Sequence, residues 1–226
     1  MKKFELISEF VTNVFGKKLF RIKALVSFGD VSAGELGGFV EKEENLSNNG
    51  NAWVSGNARV SGDARVSGDA RVSGDARVSG DALVSGNAQV SGNAQVSDNA
   101  WVSGNALVSG NAQVSDDAWV SGNALVSGNA QVSGDAWVSG NAQVSGDADF
   151  SVVTGFGRCF RATTFFRCKD KILRVQCGCF YGDLAKFREI VKKTHGDSKY
   201  AKEYLAIADL MELHFSDEEE NQEADK

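Results

Sequence analysis

The sequence predicts a mainly β protein, built on a left-handed parallel β-helix of hexapeptide repeats with 18 residues per coil and completed by a small α+β C-terminal domain. Three observations predict this class. Alanine recurs every six residues from Ala52 to Ala148, and valine follows two residues later from Val54 to Val144. The 226 residues include 25 glycines and no proline, so glycine must make the turns. None of the 14 phenylalanines lies between residues 51 and 149, so the middle of the chain has a different core from the two ends.

Composition and charge divide the chain into four segments. We expect an N-terminal cap with strands (residues 1–50), the repeat solenoid (51–150), a ββαα domain (151–215) and a disordered acidic tail (216–226). The net charge is −6 over residues 51–149, +5 over 150–215 and −5 over 216–226. An acidic solenoid is a poor partner for nucleic acid, because binding to phosphates requires cations.

The N-terminus lacks the pattern of an export signal. Glu5 and Glu9 interrupt the stretch in which a signal peptide has its apolar core. No apolar run in the sequence approaches the roughly 18 residues that cross a bilayer. We therefore expect a cytoplasmic protein with no membrane partner, in which the four cysteines are reduced thiols.

Each repeat has the form Ala-x-Val-Ser-Gly-Asn/Asp. Ala-x-Val-Ser alternates between inward and outward positions as a strand does, and Gly-Asn or Gly-Asp supplies the positive φ that a tight corner needs. Three repeats make a triangular coil, and successive coils stack at the inter-strand distance of about 4.8 Å. Left-handed coiling is what this hexapeptide class implies. Only Ala and Val point inward, so position x forms most of the outer surface.

The 18-residue coil sorts position x into three faces. The first face carries Trp53, Arg71, Gln89, Leu107, Leu125 and Gln143, the second carries Arg59, Arg77, Gln95, Gln113, Gln131 and Asp149, and the third carries Arg65, Leu83, Trp101, Trp119 and Trp137. We call the last four of these residues, Leu83, Trp101, Trp119 and Trp137, the tryptophan stripe. An exposed apolar stripe is unusual on a solvated surface, so we interpret it as a partner interface, with a homo-oligomer and in particular a trimer favoured. A stack that only stabilises the prism and a platform for a carbohydrate or small ligand are the alternatives.

The corner that precedes the third face is acidic. It includes Asp98, Asp116, Asp117 and Asp135, which have no arginine near them in the sequence. We interpret this acidic corner as a solvated edge. A calcium-like cation held by oxygen ligands and a basic protein partner are the alternatives, and we assign no metal site.

The array lacks the residues of a catalyst. Many hexapeptide solenoids are acyltransferases, which use a histidine base and loops extruded from the prism. Here both histidines, His195 and His214, lie beyond the array, and no loop interrupts residues 51–149. Without a base of suitable pKa there is no general base catalysis, so we predict a non-enzyme with no cofactor.

The two ends are predicted to be caps, since the end coils of a solenoid would otherwise expose core and strand edges. An alternating strand is expected from Leu19 to Phe28, and Phe150 is expected to replace the core valine of the last coil. The C-terminal domain is predicted as a hairpin (158–177) followed by two helices. We predict that Asp183 caps the first helix and that Gly196 ends it. Ser198 is predicted to cap the second helix, whose inward face carries Tyr204, Ile207, Leu210 and Met211.

Six cations fall on the predicted hairpin, which we call the basic hairpin set: Arg158, Arg161, Arg167, Lys169, Lys171 and Arg174. We expect this set to meet any anionic partner. The cysteines (Cys159, Cys168, Cys177 and Cys179) are spaced unlike a zinc site, and Cys168 and Cys177 are predicted to be buried in the hairpin core.

Two blocks carry a resemblance. The segment Asp30-Val31-Ser32-Ala33-Gly34-Glu35-Leu36-Gly37-Gly38-Phe39-Val40, with Glu44-Asn45-Leu46-Ser47 and Ala52-Trp53-Val54, resembles the entry segment of bacterial and phage-encoded hexapeptide-repeat β-solenoid proteins. The block Cys177-Gly178-Cys179-Phe180, with His195-Gly196-Asp197 and Tyr200-Ala201-Lys202-Glu203-Tyr204, looks like a domain that accompanies such solenoids in phage and prophage genomes. The resemblance implies a phage protein in the cytoplasm of a bacterial host.

Two functional classes follow from these observations. One is a self-associating scaffold that presents its C-terminal domain to a host protein. The other is a phage counter-defence protein, which inhibits a host protein or sequesters a small anionic ligand such as a signalling nucleotide.

Overall fold

The computed structural model describes residues 2–146, 149–168 and 170–216. The chain divides into two compact units, Met1–Asp147 and Ala148–Lys226. The first unit holds the N-terminal strands and a parallel β-solenoid with 18 residues per coil, and the second is a small α+β unit. The predicted fold class is therefore confirmed in its architecture, while left-handed coiling stays a prediction. The predicted acidic tail lies outside the described residues from residue 217 onward.

Three N-terminal strands precede the solenoid. Strands β1 (Phe4–Thr12) and β2 (Lys18–Ala24) form an antiparallel hairpin, and β3 (Leu36–Val40) pairs antiparallel with β2. The alternating strand expected from Leu19 to Phe28 is thus present but ends at Ala24, and β1 was not predicted. A 3-10 helix, Glu43–Asn45, then leads into the first coil.

Glycines allow β3 to lie directly on the first coil. A Cβ on Gly37 would lie 2.5 Å from Ile22 Cγ1 and 2.6 Å from the Val54 carbonyl oxygen, and one on Gly38 would lie 2.6 Å from the Ala58 carbonyl oxygen. A side chain at either position would therefore force the strand away from the coil. This close approach buries the end of the solenoid core under the cap.

The solenoid strands are two residues long, and each contains position x and the following valine. In chain order they are β4 (Trp53–Val54), β5 (Arg59–Val60), β6 (Arg65–Val66), β7 (Arg71–Val72), β8 (Arg77–Val78), β9 (Leu83–Val84), β10 (Gln89–Val90), β11 (Gln95–Val96), β12 (Trp101–Val102), β13 (Leu107–Val108), β14 (Gln113–Val114), β15 (Trp119–Val120), β16 (Leu125–Val126), β17 (Gln131–Val132), β18 (Trp137–Val138) and β19 (Gln143–Val144).

These strands form three parallel sheets, one for each predicted face. The sheet orders are β4-β7-β10-β13-β16-β19, β5-β8-β11-β14-β17 and β6-β9-β12-β15-β18. Strand β3 extends the second sheet by pairing in parallel with β5. Each solenoid strand from β4 to β19 therefore pairs with a strand 18 residues away, as the repeat predicts.

Inward alanine and valine side chains fill the solenoid core, and the described ones are buried. Backbone amides donate from one coil to the next, as in the 2.9 Å bond from Trp101 N to the Ala118 carbonyl oxygen. The corners use the left-handed backbone, for example at Gly104, where φ is 67°. Glycine adopts this conformation without the steric strain that a Cβ brings.

The second unit is an antiparallel sheet packed against two helices. Its strands are β20 (Phe150–Val153), β21 (Thr163–Arg167), β22 (Leu173–Cys177) and β23 (Phe180–Asp183), in that spatial order. Helix α1 (Leu184–His195) and helix α2 (Lys199–His214) follow. Asp183 caps α1, Gly196 ends it and Ser198 caps α2, which confirms these three predictions.

Three expectations for this unit were wrong. Phe150 does not replace a core valine of the last coil, because it begins β20 and pairs antiparallel with Phe166. The predicted hairpin is present as β21 and β22, but the prediction of only two strands was wrong, since Phe150–Val153 and Phe180–Asp183 extend it to a four-stranded sheet. Leu210 is exposed, and α2 instead packs Ala201, Tyr204, Ile207, Ala208 and Met211 against the sheet and α1.

Candidate self-association surface

The tryptophan stripe is a continuous stack on the third face. Strand pairing places Leu83 beside Trp101, Trp101 beside Trp119, and Trp119 beside Trp137. The ring centroids of Trp101 and Trp119 lie 4.9 Å apart with planes 3° from parallel, and those of Trp119 and Trp137 lie 4.7 Å apart at 4°. The rings stack along the direction in which the coils stack, so their edges face outward.

Stacking covers much of each indole. Leu83 and Trp101 are 38% and 39% exposed, while Trp119 and Trp137 are half-buried. The stripe therefore offers less free area than fully projecting indoles would. What remains is an apolar edge on a pre-ordered stack, which loses little conformational entropy on contact with a partner.

Serine hydroxyls fix the orientation of the indoles. Trp101 Nε1 donates to Ser85 Oγ and Trp119 Nε1 donates to Ser103 Oγ, both at 3.2 Å. Each serine belongs to the coil before the tryptophan that it binds. The polar atom of each of these two rings is therefore satisfied within the chain, which leaves hydrocarbon edges for the outer surface.

The other two faces differ in character from the third. On the second face Gln95, Gln113 and Gln131 are exposed, which makes a polar surface. On the first face Leu107 and Leu125 are neighbours and half-buried, and glutamines flank them. The largest apolar column at position x among the described coils is therefore the tryptophan stripe.

The acidic corner uses its carboxylates within the chain. Asp98 and Asp116 adopt φ of 58° and 57° at the position that glycine occupies in most other repeats. Asp116 Oδ2 accepts from Gly134 N at 3.1 Å, and Asp117 Oδ1 accepts from Asn99 Nδ2 at 3.0 Å. Asp135 is exposed. In the part of the chain that the structure describes, no three His, Cys, Asp or Glu side chains are grouped as a metal site requires.

The members of the basic hairpin set have different surroundings, and the set stays a prediction as the place where an anionic partner binds. Arg174 makes two 2.7 Å hydrogen bonds to Asp170 and holds the pKa of that carboxyl at about 2. Arg167 donates to the Phe215 carbonyl oxygen at 3.0 Å. Lys171 is exposed in the turn, with φ of 61°. Lys169 lies outside the described residues.

Arg158 and Arg161 precede β21 and line a cavity that the sequence analysis missed. The cavity has a volume of 360 Å³ and includes three of the four cysteines, Cys159, Cys177 and Cys179, together with His195 and Tyr204. Cys168 is buried as predicted, Cys177 is half-buried, and Cys159 and Cys179 are exposed. Gly155 and Gly157, both with positive φ, are the sequence signal that a tight loop precedes this site.

These features define a class: a parallel β-solenoid with an ordered apolar column along one face and a separate α+β unit. Residues 43–149 match the family model described as Bactofilin: Polymer-forming cytoskeletal. The chain is similar to that family over the array and the turn before it, and the α+β unit lies beyond the match apart from its first residues. The curated proteins searched contain no match to the chain.

Among the described residues, no helix has both the length and the apolar character needed to cross a membrane. The phage origin and the counter-defence role stay predictions that rest on the resemblance.

Proposed function

We propose that the protein is a non-enzymatic scaffold that self-associates through the tryptophan stripe. The observation that carries this proposal is the stack of Trp101, Trp119 and Trp137, whose apolar edges line one face of a rigid prism. Every copy carries the same stripe, so a second copy is a complementary partner for it. The similarity of residues 43–149 to a polymer-forming family supports self-association independently.

Two forms of assembly fit a lateral stripe. A closed trimer with nearly parallel axes is the form implied by the resemblance to hexapeptide-repeat prisms, and closed symmetry is common among soluble homo-oligomers. An open polymer is the form favoured by the family description. The α+β unit, whose residues 150–215 carry a net charge of +5, would then be presented to a partner protein.

One coil provides a matched set of variants. Leu107, Gln113 and Trp119 occupy position x on its three faces. Trp119→Glu places a carboxylate in the proposed interface, where an unpaired buried charge is strongly unfavourable, so we expect the assembly to dissociate. Gln113→Glu and Leu107→Glu add the same charge to the other faces and should leave the assembly intact.

Sedimentation velocity and light scattering at tens of micromolar would measure the mass of each variant, with circular dichroism as the control for folding. Negative-stain electron microscopy of the wild type would distinguish a trimer from a filament. A monomeric wild type, or a folded Trp119→Glu variant that keeps its full mass, would contradict the proposal. Loss of assembly in all three variants would show that any added charge dissociates the assembly, whether or not it lies in the stripe.

The non-enzymatic part of the proposal has its own test. The array carries no histidine, so the purified protein should transfer no acetyl group from acetyl-CoA to amine or hydroxyl acceptors. Thiol release from acetyl-CoA, measured with and without acceptor, would detect such a reaction. Saturable turnover above the buffer rate would overturn the assignment.

A further inference from the structure

The cavity in the α+β unit has walls of two kinds. Phe180, Phe187, Ile190 and Val191 provide apolar lining, and Arg158 and Arg161 provide cationic lining. The volume of 360 Å³ falls near the lower end of the roughly 300–1,000 Å³ typical of small-ligand pockets. Its lining includes no aspartate or glutamate.

The two arginines differ from the other arginines of this unit. Arg167 donates to the Phe215 carbonyl oxygen, and Arg174 donates to Asp170. Arg188 donates to both Asp209 and Glu212. Arg158 and Arg161 have no hydrogen-bond or ion-pair partner among the described residues. Two guanidinium groups without acceptors at one cavity form a site for an anion, because each offers several donors to a carboxylate or phosphate.

The loop that carries these arginines is held in place from two sides. Gly157 N donates to Glu203 Oε2 at 2.9 Å, and a Cβ on Gly157 would lie 2.1 Å from the Tyr204 hydroxyl oxygen, so the loop rests directly on α2. Arg161 lies over the turn between β22 and β23, since a Cβ on Gly178 would lie 2.7 Å from its Nη1 atom. The cations are therefore positioned by backbone packing.

Neighbouring polar groups are compatible with an anion. Burial raises the pKa of Tyr204 to about 12, so its phenol stays protonated at neutral pH. The ring of His195 lies 5.8 Å from that of Tyr204. Neither group adds a negative charge to the cavity.

We propose that this cavity binds a small organic anion, in which one carboxylate, phosphate or sulfonate group meets Arg158 and Arg161 while an apolar body lies against Phe180 and Phe187. The proposal concerns the α+β unit and does not depend on self-association through the stripe. The α+β unit would then have a ligand-binding site in addition to its proposed role of contacting a partner protein.

A pair of fluorescent probes tests the charge requirement. 1-Anilinonaphthalene-8-sulfonate has an anionic group on an apolar body, and N-phenyl-1-naphthylamine has nearly the same body without the charge. We expect the full chain to bind the sulfonate in a saturable manner and the neutral probe at least roughly tenfold more weakly, because charge-assisted hydrogen bonds are lost. Equal affinity for the two probes would overturn the proposal.

Variants and a chemical footprint locate the binding. Arg158→Gln/Arg161→Gln should weaken sulfonate binding roughly tenfold or more, whereas Lys186→Gln/Lys202→Gln, with the same loss of charge away from the cavity, should not. Thr194→Trp, which fills the cavity without a change of charge, should also abolish binding. In the wild type, bound sulfonate should slow alkylation of Cys159 and Cys179 by N-ethylmaleimide and leave buried Cys168 unaffected.

The footprint keeps the proposal testable if the arginine variant fails to fold, since it uses the native chain. Unprotected Cys159 and Cys179 at probe saturation would show that the dye binds elsewhere. An equal loss of affinity in the lysine control would show that net charge, and not this cavity, governs binding. Either result would exclude the assigned site.

Discussion

The indole nitrogen of Trp119 donates a 3.2 Å hydrogen bond to the hydroxyl of Ser103, which lies one coil earlier in the chain. This bond fixes the rotation of the ring, and Trp101 and Trp137 then cover its two faces. The same relationship joins Trp101 to Ser85. Trp101 and Trp119 are thus each held by a hydrogen bond to a serine, and the three rings are held together by contacts along the coils.

Removal of the anchor should weaken the solenoid by a measurable amount. We expect Ser103→Ala to lower the free energy of unfolding by about 1 kcal/mol, the usual contribution of one hydrogen bond. Ser109 is the matched control, because it has the same place in the next repeat, is equally half-buried, and has no described side-chain partner. Urea unfolding followed by tryptophan fluorescence would compare the two. Equal losses would mean that the Ser103 hydroxyl does not anchor the stack.

The hexapeptide register is the part of this structure that the sequence predicts best. Because alanine and valine point inward at a strict six-residue period, residues at position x that are 18 apart must be neighbours on one face. The neighbours of Trp119 could therefore be named from residue numbers alone. Side-chain rotation is a different matter, since it depends on local torsions. The serine anchors and the extent to which stacking buries Trp119 and Trp137 were therefore not predicted.

The ends of the chain lack such a period, and prediction was weaker there. Strand β1 (Phe4–Thr12) was not predicted, and β23 (Phe180–Asp183) is a four-residue segment interrupted by glycine. The sequence places the cations of the basic hairpin set near one another in the chain, but which of them are paired with a carboxylate depends on the folded geometry. Arg174 is neutralised by Asp170, while Arg158 and Arg161 lie in a loop beside a cavity formed with α1 and α2.

Crowding at the corners predicts different responses to the same substitution. Gly104 and Gly134 have φ of 67° and 64°, but a Cβ on Gly104 would lie 2.9 Å from Gly122 N, whereas one on Gly134 meets nothing within 4 Å. We expect Gly134→Ala to lose about 1 kcal/mol through left-handed strain alone and Gly104→Ala to lose more. Urea midpoints would measure both. A smaller loss for Gly104→Ala than for Gly134→Ala would contradict the idea that coil stacking restricts this corner.

The acidic corner offers a test of what its carboxylates do. Asp116 combines a left-handed backbone with a hydrogen bond from Gly134 N. Asp116→Gly removes the strain and the bond together, so its stability should stay within about 1 kcal/mol of wild type. Asp116→Ala keeps the strain and loses the bond, and should be destabilised by about 1–2 kcal/mol. Thermal unfolding of the two variants, with and without added calcium, would be compared. A rise in stability with calcium that Asp116→Ala abolishes would favour the cation alternative over a solvated edge.

The ammonium group of Lys3 is buried beside the first coil, and this burial predicts a pH dependence of stability. Lys3 is 3% exposed, and its Nζ atom donates to the Ala52 carbonyl oxygen at 2.9 Å and to the Gly50 carbonyl oxygen at 3.3 Å. Burial lowers its pKa from 10.5 to about 8. Between these two values the unfolded chain binds more protons at this site than the folded chain does, so stability should rise with pH.

We therefore expect the free energy of unfolding of the wild type to increase, relative to Lys3→Met, as pH rises from about 8 towards 10.5, with a slope of at most about 1.4 kcal/mol per pH unit. Lys2→Met is the control, because Lys2 is exposed and pairs with Glu43 at the surface. Tyr204, whose pKa burial raises, contributes equally to all three proteins and cancels in the difference. Urea unfolding across this range would provide the comparison. Parallel pH profiles for wild type and Lys3→Met would show that Lys3 has an ordinary pKa in the folded protein.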